Sequence, residues 1–567
     1  MDQIDIEKVN RFPFSSETTM KITASSLPVF LAIALLSVAL CPGAIADVNI
    51  ALRSGDFVNH SAQLTNWINA RVTAQPNAIS ATGLQALLDD PTFANAIAQR
   101  QLIAKLGAGN VADFEKSSTQ KKAFLDWLLL HTRAMENYLE GATPIGRSHR
   151  EQNSWSIPVS SLEIWHQILM ADPDSRSGIY LKLAIATGLN PPGTGNRGAG
   201  QAKKPETPLA RYRFYKTAYQ NGELFPNFAA LSVWEYRQIV SSNASNVDLA
   251  WGREAINTWR PDLRTNEQVV NSTSEVWRRN SPISFNDTFK NVLAGGGKCG
   301  PRSSWAIFIC QAFGIPAVGV RQPGHVCATY KSAYPDVQPQ PGNTWKVVYG
   351  RGWQVSKTCG LPGPQFMEEM VARSDLAAFM RTERLRWLSA ALATQEESKT
   401  VLELASRMPA LPSAPKPLPT PPRQPKSAAR PKNKPGPGVV RIEAASFSKA
   451  TGISVHDCFT GGKQIYNAKY AQGWGSPPNV SWTVKVAKTG TYELTLRAAV
   501  ANVDQSVNIA VNNSEPFPLS IPNTHGLWKT SPALELNLEQ GTHIITLTRP
   551  VAQRGLALRY LEVSKKR

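Results

Sequence analysis

A cysteine and a histidine are the side chains of this sequence best suited to nucleophilic chemistry. Cys299 follows three glycines and a lysine, and His325 follows a Pro-Gly pair further along the chain. A thiolate attacks carbonyl carbons, and an imidazole can take the thiol proton and later return it to a leaving amine. The pair therefore predicts acyl chemistry on an amide or peptide bond.

The element that carries Cys299 is predicted to be a helix from about Pro301 to Phe313, with Cys299 at its N-cap end. Proline suits the first helical turn, and Gly314, with a proline soon after, ends the helix. Residues 305–313 are almost all apolar on every face, which predicts a helix buried in the centre of a domain. Such burial would fix the cysteine rigidly.

The surroundings of Cys299 favour a thiolate. Unpaired N–H groups and the positive end of the helix dipole lie at this end, and Lys298 and Arg302 add positive charge. We therefore expect a lowered thiol pKa. Downstream, residues 317–320 and His325 to Tyr330 are typical of two short strands around a turn, so the histidine opens a strand.

These residues resemble the transglutaminase-like superfamily of papain-like cysteine enzymes, which includes transglutaminases, peptidases and peptide N-glycanases. The resemblance covers roughly Phe285 to Val355 and implies an α+β core, with Cys299 as nucleophile and His325 as base and later acid. The resemblance also implies that catalysis requires no cofactor. The motif residues are Gly297, Cys299, Gly314-Ile315-Pro316-Ala317 and His325.

The family's third catalytic residue is an Asp or Asn on the strand after the histidine. Here residues 345–348 are followed by Tyr349 and Gly350, so the expected carboxylate is missing. Asp336 and Asn343, in the preceding loop, are the candidates by proximity.

The length of 567 residues predicts several domains. A multidomain chain is expected, with a helical N-terminal region, the α+β core and an all-β sandwich. In the helical region, apolar residues recur at helical spacing over 61–72, 83–88, 92–106, 121–140 and 161–170. We expect this region to be a scaffold on the core. The predicted ranges are 1–46 for a signal peptide, 47–280 for the helical N-terminal domain, 281–407 for the transglutaminase-like core, 408–438 for a linker, and 439–567 for the β-sandwich.

The N-terminal segment is typical of a secretory signal. An apolar run over 27–40 is too short for a comfortable membrane span and precedes a small-x-small site, which predicts cleavage after Ala46. Lipidation at Cys41 is the alternative. The expected location is secreted, periplasmic or at the cell surface.

Five cysteines remain after cleavage, and an odd number in an exported protein predicts at least one free thiol. Cys299 fits that description. Cys327 and Cys359, placed on neighbouring strands, are predicted to form a disulfide, whereas Cys310 and Cys458 are expected to be small buried residues.

The chain is strongly basic, with a formal net charge of +19. Part of this charge lies in residues 409–437, a Pro-rich stretch with Lys and Arg and no acid, which predicts an extended linker. A basic exported protein suits acidic cell-wall polymers or membrane surfaces. No recognition motif accompanies the charge, which disfavours specific nucleic-acid binding, and no other segment is apolar enough to be transmembrane.

The last region alternates apolar and polar residues in short segments separated by turns, which predicts a β-sandwich. The predicted strands are 480–486, 490–498, 507–511, 534–538, 541–547 and 556–563. The region resembles jelly-roll carbohydrate-binding modules of family 6 or 35. The stretches that carry the resemblance are 442–444, 480–484, 490–498, 528–530 and 541–543.

That resemblance implies a glycan partner and a structural calcium. Aromatic rings stack on sugar faces, and the candidate rings are Trp528, Trp474, Tyr466 and Tyr470. The usual sugar-binding Asn is Ala557 here. Of the metal-site acids Glu443 remains, whereas Ala445 replaces the second. A structural module is the alternative to a glycan-binding one.

Three functions follow from these patterns. The first is a thiol enzyme that hydrolyses or transfers acyl groups on glycoprotein or cell-wall peptides, guided by the C-terminal module. The second is an inactive scaffold of the same fold, and the third is an adhesive glycan-binding surface protein. The first is favoured because the cysteine, the histidine and the glycine-rich approach occur together.

Overall fold

The computed structural model describes residues 54–195, 206–278, 289–333, 344–407, 438–468, 477–549 and 554–566. The predicted signal segment and the linker residues 408–437 lie outside these ranges. Among the described residues, no helix has the length and apolarity needed to cross a membrane.

Helices dominate the first half of the described chain, and three further helices follow the first sheet. They are α1 Phe57–Thr73, α2 Ala81–Asp89, α3 Pro91–Leu106, α4 Ala108–Lys116, α5 Thr119–Leu130, α6 Thr132–Ala142, α7 Arg147–Glu151, α8 Val159–Ala171, α9 Gly178–Leu189, α10 Pro208–Gln220, α11 Val233–Val240, α12 Asn246–Trp259, α13 Phe289–Gly295, α14 Cys299–Ala312, α15 Gly363–Ser374, α16 Leu376–Ser389 and α17 Gln395–Arg407. Short 3-10 helices cover Pro173–Arg176, Pro226–Ala230 and Glu267–Glu275.

The predicted helical segments are confirmed with one difference. The expected helix over 121–140 is two helices, α5 and α6, which meet at His131. The backbone there leaves the helical region, at φ −111° and ψ 85°, and the imidazole Nδ1 lies 2.6 Å from the carbonyl of Trp127. This side-chain contact occupies a carbonyl in the last turn of α5, where carbonyls have no intrahelical N–H donor.

The first sheet is antiparallel and has the order β3-β2-β1-β4-β5. Its strands are β1 Ala317–Gln322, β2 His325–Lys331, β3 Trp345–Val348, β4 Lys357–Thr358 and β5 Leu361–Pro362. Pro323 and Gly324 connect β1 to β2, and Gly324 has φ +63°, as a tight turn requires. Helix α14 packs against β1 and β2.

The last region is a β-sandwich, as predicted. Its strands are β6 Val439–Glu443, β7 Lys449–Thr451, β8 Ser454–Asp457, β9 Lys463–Asn467, β10 Asn479–Val486, β11 Gly490–Val500, β12 Gln505–Val511, β13 Phe517–Ile521, β14 Lys529–Thr530, β15 Leu534–Leu538, β16 Gly541–Thr548 and β17 Leu556–Lys565. One sheet has the order β13-β12-β16-β10-β7; the other has the order β14-β11-β17-β9-β8, with β15 on β11 and β6 on β17. Alternate residues of β10 are buried, which matches the predicted pattern.

The sandwich is docked on the helical part rather than separated from it. Tyr466, Ala499, Ala501 and Ala557 of the sandwich belong to the same buried apolar cluster as the helices and α14. Polar contacts accompany this packing: the Trp251 Nε1 donates to the His525 carbonyl over 3.0 Å, and the Gln464 Nε2 donates to the Thr258 carbonyl over 2.9 Å. The sandwich therefore has an apolar core of its own between its sheets and, in addition, contributes Tyr466 and the three alanines to the core of the helical part.

Candidate functional site

Cys299 is the first residue of α14 and is half-buried. The residue before it, Lys298, is the N-cap and makes no side-chain capping hydrogen bond. Because N–H groups of a first turn have no intrahelical partner, the start of α14 keeps donors that no cap occupies. The helix begins two residues before the predicted Pro301, which places the thiol within the first turn.

The turn before Cys299 depends on glycine. Gly296 has φ +70°, and a Cβ there would lie 2.4 Å from the carbonyl oxygen of Trp277. The neighbouring Gly297 donates its N–H to that same carbonyl over 2.8 Å. Any side chain at Gly296 would push the segment of Trp277 away, so the glycine-rich approach predicted from sequence has a steric reason.

His325 is oriented by a backbone group. Its Nε2 lies 3.1 Å from the carbonyl oxygen of Tyr349. A carbonyl can only accept, so Nε2 carries the proton in this bond and the neutral ring keeps its lone pair on Nδ1. Nδ1 is then the basic nitrogen, which is the tautomer that a proton acceptor needs.

Tyr349 connects the histidine to the turn of the cysteine. The hydroxyl of Tyr349 donates to the carbonyl of Arg302 in the first turn of α14 over 2.6 Å, and the Arg302 guanidinium lies 5.2 Å from the ring centroid. Tyr349 also has φ +40°, an uncommon backbone state for a bulky residue. This residue occupies the place where the transglutaminase-like pattern has its carboxylate.

The cysteine and the histidine lie on elements that pack together. The Ser303 hydroxyl of α14 donates to the carbonyl of Cys327, two residues after His325, over 2.7 Å. Burial, and next the nearby Cys299 thiol, raise the pKa of Cys327 to about 11. Among the described residues, no hydrogen bond joins Cys299 Sγ to the ring of His325. Catalytic hydrogen bonds often form only when substrate is bound.

A cleft of about 1030 Å³ begins beside the cysteine, although neither Cys299 nor His325 lines it. Its floor is one face of α14, and its walls come from the end of α11 and from β1 and β4. Arg321 and Lys357, cross-strand neighbours, contribute two cations, and the described lining residues include no carboxylate. The floor residues are Gly300, Ser304, Ile307 and Gln311.

The two acid or amide candidates for the third catalytic residue, Asp336 and Asn343, lie outside the described residues. Their role stays a prediction.

The predicted disulfide between Cys327 and Cys359 is wrong, because both thiols are free. The prediction placed them on neighbouring strands, but β1 lies between β2 and β4. Adjacent strands are about 4.8 Å apart, so residues separated by a whole strand exceed the span of a disulfide. Cys310 and Cys458 are buried, as predicted.

Of the predicted sugar platforms, the two that lie in the described residues pack against the core of the helical part. Tyr466 is 3% exposed and lies in the shared core, where burial raises its pKa. Trp528 is half-buried and packs against the same core. Trp474 and Tyr470 lie outside the described residues. In this arrangement, therefore, the Tyr466 ring cannot stack on a sugar, which contradicts that prediction.

The structural calcium near Glu443 stays a prediction, because backbone carbonyls as well as carboxylates can bind calcium. Glu443 ends β6 and is exposed. Within the described ranges, no group of three or more His, Cys, Asp or Glu side chains could hold a metal ion.

No protein-family model matches this chain, and no curated protein matches it. Solved structures align with its C-terminal part. The C-terminal family 6 carbohydrate-binding module of the laminarinase LamC from Zobellia galactanivorans is 20% identical, with 22% of this chain and 99% of that chain covered and a TM-score of 0.20. A family 35 module from Clostridium thermocellum is 20% identical, with 23% and 98% covered and a TM-score of 0.20.

A third structure is the module of lichenase 5A from Cellvibrio mixtus in complex with cellotriose. It is 21% identical, with 23% of this chain and 98% of that chain covered and a TM-score of 0.20. We draw no functional conclusion from alignments at these TM-scores.

Sequence reasoning missed three residues that shape this site: Tyr349, Asn502 and Arg554. Tyr349 acts through its carbonyl, which every residue has, so residue type carried no signal. Asn502 and Arg554 belong to the sandwich and reach the segment before Cys299. These two residues could have been identified only from how the sandwich docks on the helical part, which the sequence patterns do not show.

Proposed function

We propose that this protein is a cysteine-nucleophile enzyme of the transglutaminase-like type that acts on amide or peptide bonds. The observation that carries the proposal is the hydrogen bond from His325 Nε2 to the Tyr349 carbonyl. It leaves Nδ1 as the base, on strand β2, whose Cys327 carbonyl accepts a hydrogen bond from Ser303 of α14. A peptide carbonyl replaces the missing carboxylate as the group that fixes tautomer and orientation.

The reaction follows from these groups. His325 Nδ1 takes the proton of Cys299, and the thiolate attacks the carbonyl carbon of the substrate. The C–N bond breaks as the imidazolium gives its proton to the leaving amine, and a thioester remains. Water or an amine then attacks the thioester carbon while His325 takes its proton, the C–S bond breaks, and the released Cys299 thiolate recovers a proton from the imidazolium. First-turn N–H groups of α14 would hold the oxyanion.

The substrate is proposed to be a peptide segment of a glycoprotein or cell-wall polymer. The cleft along α14 begins at Gly300, the residue after Cys299, and an extended chain bound there is proposed to reach the thiol from that end. Export through the N-terminal signal and glycan targeting by the sandwich complete the proposal. A basic chain, with a net charge of +19, suits acidic surfaces of this kind.

Thiol alkylation across pH tests the catalytic pair. The exposed Cys359 would also react, so the experiment uses a Cys359→Ser background, in which Cys299 is the accessible thiol. We expect iodoacetamide to modify Cys299 rapidly below the ordinary thiol pKa of about 8.5. His325→Ala should slow this reaction about tenfold or more at neutral pH.

The proposal fails if Cys299 titrates as an ordinary thiol and His325→Ala changes nothing. In that case a second candidate, a cleft that binds a peptide without reaction, is favoured, since Tyr349 stands where the carboxylate is expected. A glycan array on the full chain tests the targeting role, and the absence of binding to every glycan would reduce the sandwich to a structural role.

A further inference from the structure

The segment before Cys299 is held by a side chain of the sandwich. Asn502 is 5% exposed and its Nδ2 donates two hydrogen bonds, to the Leu293 carbonyl over 2.9 Å and to the Glu275 carbonyl over 3.1 Å. Leu293 lies in the last turn of α13, where carbonyls lack intrahelical partners. Two carbonyls on separate segments are thus joined by one amide group.

A second contact involves charge. Arg554 Nη1 lies 3.0 Å from Glu275 Oε2, and the Arg554 guanidinium lies 4.5 Å from the centroid of the Trp277 ring. Both Arg554 and Glu275 are buried. The Trp277 carbonyl in turn accepts the N–H of Gly297, two residues before Cys299. The sandwich therefore contacts Trp277, the residue whose carbonyl holds the turn at Gly296 and Gly297.

A third contact reaches the helix itself. The His525 carbonyl of the sandwich accepts from Trp251 Nε1, and the Trp251 ring stacks on Phe308 of α14 with centroids 6.1 Å apart. The sandwich thus contacts both the approach to Cys299 and, through Trp251, the body of the helix that carries it.

We propose that the C-terminal sandwich is a positioning element for the nucleophile, and that Asn502 and Arg554 set the geometry of the Cys299 turn. This inference rests on the proposed function, in which Cys299 is the reactive group. Asn502 and Arg554 act through segments 275–277 and 293–297 and do not touch the reacting atoms. Anything that displaces the sandwich from this position would then lower the reactivity of the thiol.

Hydrogen exchange and alkylation, measured together, test this inference on the full chain. In Asn502→Ala, two buried carbonyls lose their donor, and a net hydrogen bond contributes enough to change an opening equilibrium about three- to tenfold. We expect the backbone amides of residues 289–304 to exchange faster by about that factor. We also expect the pH profile of Cys299 alkylation to shift, which a merely structural residue would not cause.

The matched control is Asn508→Ala. Asn508 is a half-exposed asparagine on β12 of the same sandwich. It should leave both the exchange of residues 289–304 and the alkylation profile unchanged. Arg554→Gln should change both readouts in the same direction as Asn502→Ala, since it removes a charge partner of the buried Glu275 carboxylate, and it answers the same question if Asn502→Ala does not fold.

Unchanged exchange and unchanged alkylation in both Asn502→Ala and Arg554→Gln would overturn the inference. Equal effects in Asn508→Ala would also overturn it, since the change would then reflect general loosening of the sandwich. The exchange readout does not require an activated thiol. Faster exchange with an ordinary, His325-independent thiol would refute the proposed function and leave the structural coupling in place.

Discussion

Two regions of this molecule carry the side chains that the sequence marks for chemistry, and they differ in what covers them. Cys299 begins a helix beside an open cleft, whereas Tyr466 and Trp528 pack against the shared core where the sandwich docks. Both predictions used residue type and spacing. The difference teaches that residue type and spacing indicate which side chains are chemically suited to a role, whereas their access depends on which surface the rest of the chain occupies.

The largest expected effect comes from breaking the docking surface at Glu275. Glu275 is 2% exposed and pairs with Arg554 and Arg260, so Glu275→Gln takes the partner charge from the buried Arg554, whereas Arg260 keeps Asp262. We expect the free energy of unfolding to fall by about 3 kcal/mol. The control is Glu535→Gln, whose partner Lys566 is exposed and whose loss should cost less than about 1 kcal/mol. Urea unfolding followed by tryptophan fluorescence measures both, and equal costs would contradict the docked arrangement.

The next effect shows whether Trp528 acts as a packed core side chain or as a sugar-binding ring. Trp528→Ala should lower the free energy of unfolding by about 2 kcal/mol, because the ring packs against the core. Phe517→Ala is the matched control, since Phe517 is 46% exposed and its removal should cost less than about 0.5 kcal/mol. The measurement is urea unfolding together with a glycan array. Lost glycan binding with unchanged stability would restore Trp528 as a platform.

A smaller effect concerns the anchor of the histidine. Tyr349→Phe removes the hydrogen bond to the Arg302 carbonyl but keeps the carbonyl that contacts His325. We expect Cys299 alkylation at neutral pH to slow about three- to tenfold, which is the value of one net hydrogen bond. Tyr560→Phe, on β17 of the sandwich, serves as control. A rate equal to wild type would show that Tyr349 needs no anchor.

The smallest effect is a pH dependence at the neighbour of Cys299. The pKa of Cys327 is raised from 9.0 to about 11, so between these values the folded state binds more protons than the unfolded state. The free energy of unfolding should therefore fall as pH rises through this window, by about 1 kcal/mol more in wild type than in Cys327→Ala. Urea unfolding at pH 8 and pH 10.5 checks the sign. An identical decline of the free energy of unfolding in both proteins would show that Cys327 does not cause the pH dependence.

Much of the fold was predictable because local patterns determine it. The strand predicted over 534–538 is found with those bounds as Leu534–Leu538, and the helix predicted over 301–313 is Cys299–Ala312. Hydrophobic periodicity and Gly or Pro stops report such elements directly.

The order of strands and the docking of regions were not predictable from these patterns. Residue spacing does not show that β1 lies between β2 and β4, so the disulfide between Cys327 and Cys359 was wrong. The Tyr349 carbonyl was missed for a related reason, because a backbone acceptor has no residue type. Both depend on contacts between segments distant in sequence.

The Asn502 bridge also bears on the order in which the molecule is completed. Its two bonds connect residues 209 and 227 positions apart, so they close among the longest loops of the chain. Contacts of such separation form late, and synthesis delivers the sandwich last. The turn that carries Cys299 therefore obtains these supports only after nearly the whole chain has been made.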